Sequence, residues 1–147
     1  MPKLLIYKQK NNWTCGPACM LVVLDYFGTK KDIGSLLIEM RTTKKEGTHH
    51  SDIINLLKTC KLQYLVKRNC SIHDIKKHLC TNLVIVGYWI PYYKESHYSI
   101  VKKVNSSRIY FHDTWFGPKH NCTIDYFLRN WWDDEAKGWM IAIKRPM

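Results

Sequence analysis

Hydrophobic positions change character about halfway along the chain. Up to residue 80 they recur at helical spacing, and beyond it they gather in short runs rich in β-branched and aromatic side chains. The first element predicted is a helix over residues 15–27. Cys19, Val22, Val23 and Tyr26 repeat on one helical face. Gly16-Pro17 suits a first turn, where proline's missing N–H costs nothing, and Gly28 is a natural stop. A second helix is predicted over 32–40, then a polar loop over 42–49. A third helix starts at Ser51 or the preceding histidine and runs to Thr59, with Ile53, Ile54, Leu56 and Leu57 apolar. A short strand over 62–66 follows. Ser71 then reads as the N-cap of a fourth helix ending near Leu79, with Asp74 in the capping-box position.

The second half reads as strands over 83–89, 98–104, 108–113 and 139–143, with a short helix over 123–130. Asn105-Ser106-Ser107 is the turn of a hairpin joining the second and third of these strands. Helices first and antiparallel strands afterwards predict an α+β fold with the helices on one side of the sheet. No Pro/Gly/Ser-rich linker divides residues 1–147, so a single domain is expected, long enough to bury its own core.

Composition narrows the classes. With 46% hydrophobic and 24% charged residues the chain is globular rather than disordered. No apolar run approaches the roughly 18 residues of a membrane helix, and Leu4-Leu5-Ile6 is too short for a signal core. A cytoplasmic chain is therefore expected, with its six cysteines as thiols and its Asn-X-Thr sequences without meaning. There is no Cys-x-x-Cys, and His49-His50 with Cys60 or Cys70 fits no closed metal site, so neither metal nor other cofactor is expected. The net charge of +11 comes from lysines scattered in pairs. That pattern describes a solvated basic surface, and nucleic acid is not an expected partner. Most aromatic residues fall in predicted strands, which favours core packing over a base-stacking platform.

The candidate chemistry starts at Cys15. A thiolate is the nucleophile, and a helix N-terminus favours that charge through its free N–H groups. His97 stands at the entrance of one hairpin strand and Asp113 at the exit of the next, 16 positions on, with Asn105 midway. Residues equidistant from a hairpin turn lie opposite each other, so His97 and Asp113 are expected to pair directly as base and orienting acid. Gln9, six residues before Cys15, can fold back to place its amide beside the thiol; with the Cys15 N–H it would make an oxyanion hole. Strand alternation turns His112, next to Asp113, away from this site. Trp13 and Trp115 are candidate substrate-binding residues, and Trp131, Trp132 and Trp115 are expected to be partly exposed.

Gln9-x5-Cys15-Gly16-Pro17-Ala18-Cys19-Met20, ending in Asp25-Tyr26-Phe27-Gly28, resembles the start of C39 peptidases and their standalone relatives. His97-Tyr98-Ser99-Ile100-Val101 and Phe111-His112-Asp113-Thr114-Trp115-Phe116-Gly117-Pro118 extend the resemblance, which runs from about Lys8 to Ile143. It implies a papain-like fold and cleavage of a peptide bond in a peptide or protein substrate, possible targets being bonds after small residues such as Gly. In the best-known members the domain is fused to an ABC transporter and cuts leader peptides after Gly-Gly. This chain has no such portion, and Thr14 stands where those members usually carry an acidic residue. Two rival functions fit the same residues: an inactive peptide-binding module, and an isopeptidase, amidase or acyltransferase on the same fold.

Overall fold

Gly28, at φ +85°, closes the first helix, α1 (Cys15–Tyr26). Its N–H donates to the Asp25 carbonyl (3.0 Å) and the Thr29 N–H to that of Leu24 (2.9 Å), the paired bonds by which a left-handed residue ends a helix. The structure, a computed structural model, describes residues 3–146; Met1, Pro2 and Met147, the ends of the expected single-domain span, lie outside the described residues. The helix differs from expectation in one respect. It carries no single apolar stripe, because every residue from Cys15 to Leu24 is buried, as in a helix enclosed on all sides.

Two further helices, α2 (Ile33–Glu39) and α3 (His50–Thr59), precede the first strand, β1 (Tyr64–Lys67). Asp32 caps α2 by accepting the Ser35 N–H at 2.8 Å. Helix α4 (Ile72–Leu79) has the capping box read from the sequence: Ser71 Oγ accepts the Asp74 N–H at 3.2 Å and Asp74 accepts the Ser71 N–H at 2.8 Å. Then come β2 (Asn82–Ile90), β3 (Glu95–Val104), β4 (Arg108–His112), the three-residue β5 (Asn121–Thr123), α5 (Ile124–Asn130) and β6 (Met140–Lys144). The strands form one antiparallel sheet in the order β1-β6-β2-β3-β4-β5.

The helices cover both faces of this sheet rather than one. Leu83, Ile85, Tyr98, Ile100, Ile141 and Ile143 face α1 and its neighbours. Val84, Val86, Tyr88, Val101, Phe111 and Met140 face the other way, toward Ile75 of α4 and Phe127 of α5. The unbroken apolar run Leu83–Val86 is the sequence mark of a strand buried on both sides. No helix among the described residues is long and apolar enough to cross a membrane. All six cysteines are free thiols.

Candidate active site

The His97–Asp113 pair forms, but not by the expected register. The β3–β4 turn spans Asn105–Arg108, later than its expected midpoint, and a bulge at Lys102 shifts the ladder between Val101 and Lys103. Ile100 pairs with His112, so one step further along that register Asp113 faces Ser99 rather than His97. His97 and Ser99, two apart, project from the same face of β3. Asp113 Oδ2 therefore reaches both, lying 2.8 Å from His97 Nε2 and accepting from Ser99 Oγ at 2.6 Å. Sequence reasoning missed Ser99, because the bulge that selects it leaves no mark in composition.

The rest of Asp113 is held by its own turn. Oδ1 accepts the Trp115 and Phe116 N–H groups, both at 2.7 Å. Burial works against this carboxylate's charge, but His97, the Ser99 hydroxyl and the Phe116 N–H outweigh it and hold the acid well below the usual carboxylate range. His97 behaves in the mirror sense. Burial disfavours its cation, yet the charge and hydrogen bond of Asp113, followed by a hydrogen bond with Cys15, raise its pKa to about 10. Since Nε2 is taken by Asp113, Nδ1 is the nitrogen left for the Cys15 thiol. Tyr88 and Phe116 meet the imidazole edge-on, with ring centroids 5.6 Å away in each case.

Cys15 is the first residue of α1, and the helix start docks on an open stretch of β3. Where β4 stops pairing, the Tyr98 N–H donates to Cys15 Sγ at 3.4 Å. One turn along the helix, Cys19 Sγ donates to the Tyr98 carbonyl at 3.5 Å. Two cysteines at helical spacing thus clasp both peptide groups of one strand residue. Burial first, then the charges of Cys15 and Asp113, push the Cys19 thiol well up. Burial also raises Cys60, and raises Cys70 and Cys122 to about 11.

Gln9 is buried, and its backbone N–H donates to the Thr114 carbonyl at 2.8 Å. Its side-chain Oε1 accepts from Thr114 Oγ1 (2.6 Å) and its Nε2 donates to the Asn11 carbonyl (2.8 Å). That leaves one amide hydrogen uncommitted, on a side chain tied to the residue after Asp113. His112 faces elsewhere and donates to the Leu5 carbonyl at 2.8 Å.

A cavity of about 410 Å³ opens over Cys15 and His97. Trp13 lines it. Trp115 does not: Lys8 lies over its ring (4.7 Å) and donates to its carbonyl, and Tyr93 packs against it. Trp132 is partly exposed as expected. Trp131 is instead buried in the core, where its Nε1 donates to the Trp139 carbonyl, since it faces inward from the end of α5. The cavity walls do not share the chain's basic character, with Glu46, Glu95, Asp133, Asp134 and Glu135 set against Lys44, Lys45 and Lys94.

The same cavity holds a second histidine–carboxylate pair that the sequence did not announce. His50 Nε2 lies 3.0 Å and 3.2 Å from the two Asp133 oxygens, and His50 Nδ1 lies 2.6 Å from the Tyr98 hydroxyl. Its ring stacks on Trp139 at 3.9 Å, nearly parallel. Gly87 makes the room: a Cβ there would stand 2.6 Å from Asp133 Oδ2. Among the described residues no group of three or more His, Cys, Asp or Glu side chains is arranged to hold a metal ion.

Comparison with known proteins gives this geometry a context. The model of the peptidase C39 family matches residues 3–134. The peptidase domain of Streptococcus ComA, a bi-functional ABC transporter involved in a quorum sensing pathway, superimposes with TM-score 0.77 at 19% identity, over 98% of both chains. A double glycine motif protease from an AMS/PCAT transporter, solved in complex with the leader peptide, gives TM-score 0.76 at 16% identity, over 98% of this chain and 93% of that one. A C39-like peptidase from Bacillus anthracis gives 0.75 at 12% identity, over 99% of both. These likenesses show a shared papain-like fold. No curated protein matches the chain.

Proposed function

Because this chain belongs to the peptidase C39 family, a family of cysteine peptidases, we propose that it hydrolyses peptide bonds with Cys15 as nucleophile, His97 as base and Asp113 as orienting acid. The observation that carries the reading is the placement of one imidazole between a carboxylate on Nε2, at 2.8 Å, and a thiol at a helix N-terminus. His97 takes the thiol proton, and the sulfur attacks the scissile carbonyl carbon. The negative oxygen that develops is met by the Cys15 N–H and the free amide hydrogen of Gln9. The imidazolium then protonates the departing amine. Water, deprotonated by the same imidazole, releases the acid from the thioester. Asp113 keeps its charge throughout.

The substrate is a peptide or protein segment lying in the cavity against Trp13. Cleavage after a small residue such as Gly is the specificity we propose, by analogy with the double glycine motif protease. A polyanion is disfavoured, since carboxylates outnumber lysines on these walls. The test is competition among six thiols. Limiting iodoacetamide near neutral pH, followed by peptide mapping, should modify Cys15 first although Cys80 is the more exposed. Equal labelling, or a Cys15→Ala variant that still turns over peptide, would overturn the assignment.

A further inference from the structure

His97 is served by one oxygen of Asp113 only, because Oδ1 is filled by the two turn N–H groups. That one oxygen is shared. Ser99 Oγ donates to Oδ2 at 2.6 Å, closer than His97 Nε2 at 2.8 Å. Ser99 is fully buried, sits on the same strand face as His97 and does not line the cavity, so it touches no substrate. Val101, the next residue on that face, is an ordinary core residue.

We propose that Ser99 is a positioning residue that occupies part of Asp113 Oδ2 and so limits the carboxylate's hold on the His97 imidazolium. The idea rests on the triad reading above. Two donors on one oxygen compete, and each weakens the other's bond. A histidine that must return its proton to a leaving amine works best when its cation is supported but not locked. The second pair in the cavity is a built-in contrast. Asp133 also has two turn N–H groups on Oδ1, from Glu135 and Ala136, but His50 bonds that same Oδ1 at 3.2 Å, and Oδ2, which no hydroxyl reaches, accepts no hydrogen bond.

The ionisable groups facing His97 are Cys15 from α1, Tyr88 from β2, Glu95 on its own strand, Asp113 after β4 and His120 beyond it. Cys19 faces Asp113 as well. Ser99 itself acts on two of them, Asp113 and Tyr88, so the pair's titration is read as the difference between Ser99→Val and Ser99→Thr, which reports the hydroxyl.

The experiment follows the rate of Cys15 alkylation by iodoacetate against pH. This anionic reagent is drawn by the imidazolium, so the rate falls as His97 loses its proton. Ser99→Val and Ser99→Thr have the same shape and differ only in the hydroxyl. Ser99→Val, and Ser99→Ala where it folds, should move the alkaline limb up by about half to one pH unit, a part of what a hydrogen bond to a charged group is worth. Ser99→Thr should restore the original limb. Coincident limbs for Ser99→Val and Ser99→Thr, or a downward shift, would overturn the proposal. His97→Ala separates this from a failure beneath it. If His97→Ala leaves the alkaline limb in place, the triad reading falls and the role of Ser99 falls with it.

Discussion

Two histidines in one cavity, His97 and His50, are held in nearly the same way and differ in what remains free. Each presents Nε2 to an aspartate, His97 to Asp113 Oδ2 at 2.8 Å and His50 to Asp133 Oδ1 at 3.2 Å. Each aspartate is fixed by N–H groups two and three residues ahead of it, at 2.7–2.9 Å. The contrast lies at Nδ1. That nitrogen of His97 is left for the Cys15 thiol, whereas that of His50 is bonded by the Tyr98 hydroxyl, and its ring lies flat on Trp139. On the proposed reading, a histidine–carboxylate pair is no mark of catalysis by itself. The deciding feature is whether the second ring nitrogen meets a group that reacts or one that only anchors.

The sharpest way to break this comparison is to remove each ring. His97→Ala should lower kcat/KM by about 10⁴-fold or more, by analogy with other triads, and should also cost stability, because it leaves the buried Asp113 without its partner. His50→Ala should cost stability alone, roughly 2–4 kcal/mol through lost stacking and an unpaired Asp133, with kcat/KM within about tenfold for the folded fraction. Peptide turnover and chemical denaturation measured on both variants decide it. Equal kinetic losses would make His50 part of the machinery.

The acids should divide in the same way, with smaller effects. Asp113→Asn still accepts a hydrogen bond but no longer supports the imidazolium, so kcat should fall by about 10²–10⁴-fold with KM little changed. Asp133→Asn should leave kcat near wild type and lower the denaturation midpoint. A normal kcat in Asp113→Asn would remove it from the site.

The pH dependence sharpens the comparison further. Burial lowers the His97 pKa, but Asp113 outweighs it and raises the folded value to about 10, above the ordinary 6.5. Its stabilising contribution is then complete below about pH 6.5 and is lost as pH rises through about 10. Asp113, shifted the other way, contributes above the ordinary carboxylate range and loses that contribution only in strong acid. Wild type should therefore lose more stability than His97→Ala between about pH 7 and about pH 10. Parallel curves from urea denaturation would contradict the raised pKa. The smallest effect is expected from Tyr98→Phe, which removes the hydroxyl that anchors His50. It should cost about 1 kcal/mol and leave the pH profile of alkylation unmoved.

The parts legible in the sequence were those written locally. Ser71 and Asp74 stand three apart and gave the start of α4, and Gly28 gave the end of α1. Cys15 was read from its place at a helix start, and the nearness of His97 to Asp113 from a hairpin of that length, which must bring its two ends near each other. The pairing within the hairpin was not legible, since the turn falls later than Asn105 and one bulged residue then moves the ladder back a step, and the two together put Ser99, not His97, across from Asp113. The place of α4 and α5 on the far face was available and overlooked: a strand reading Leu83-Val84-Ile85-Val86 has no polar face to give to water. His50 was beyond reach, because its partners Tyr98, Asp133 and Trp139 lie 48 or more residues away.

The thiol that the Tyr98 N–H touches has a consequence for handedness. As a thiolate the sulfur carries three lone pairs, and the strand directs an N–H at one side of it. An electrophile reaching Cys15 must then come from the side away from β3, toward the cavity. On the proposed reading, the peptide N–H of a residue with no chemical role of its own thereby sets the side of the sulfur from which the new S–C bond can form.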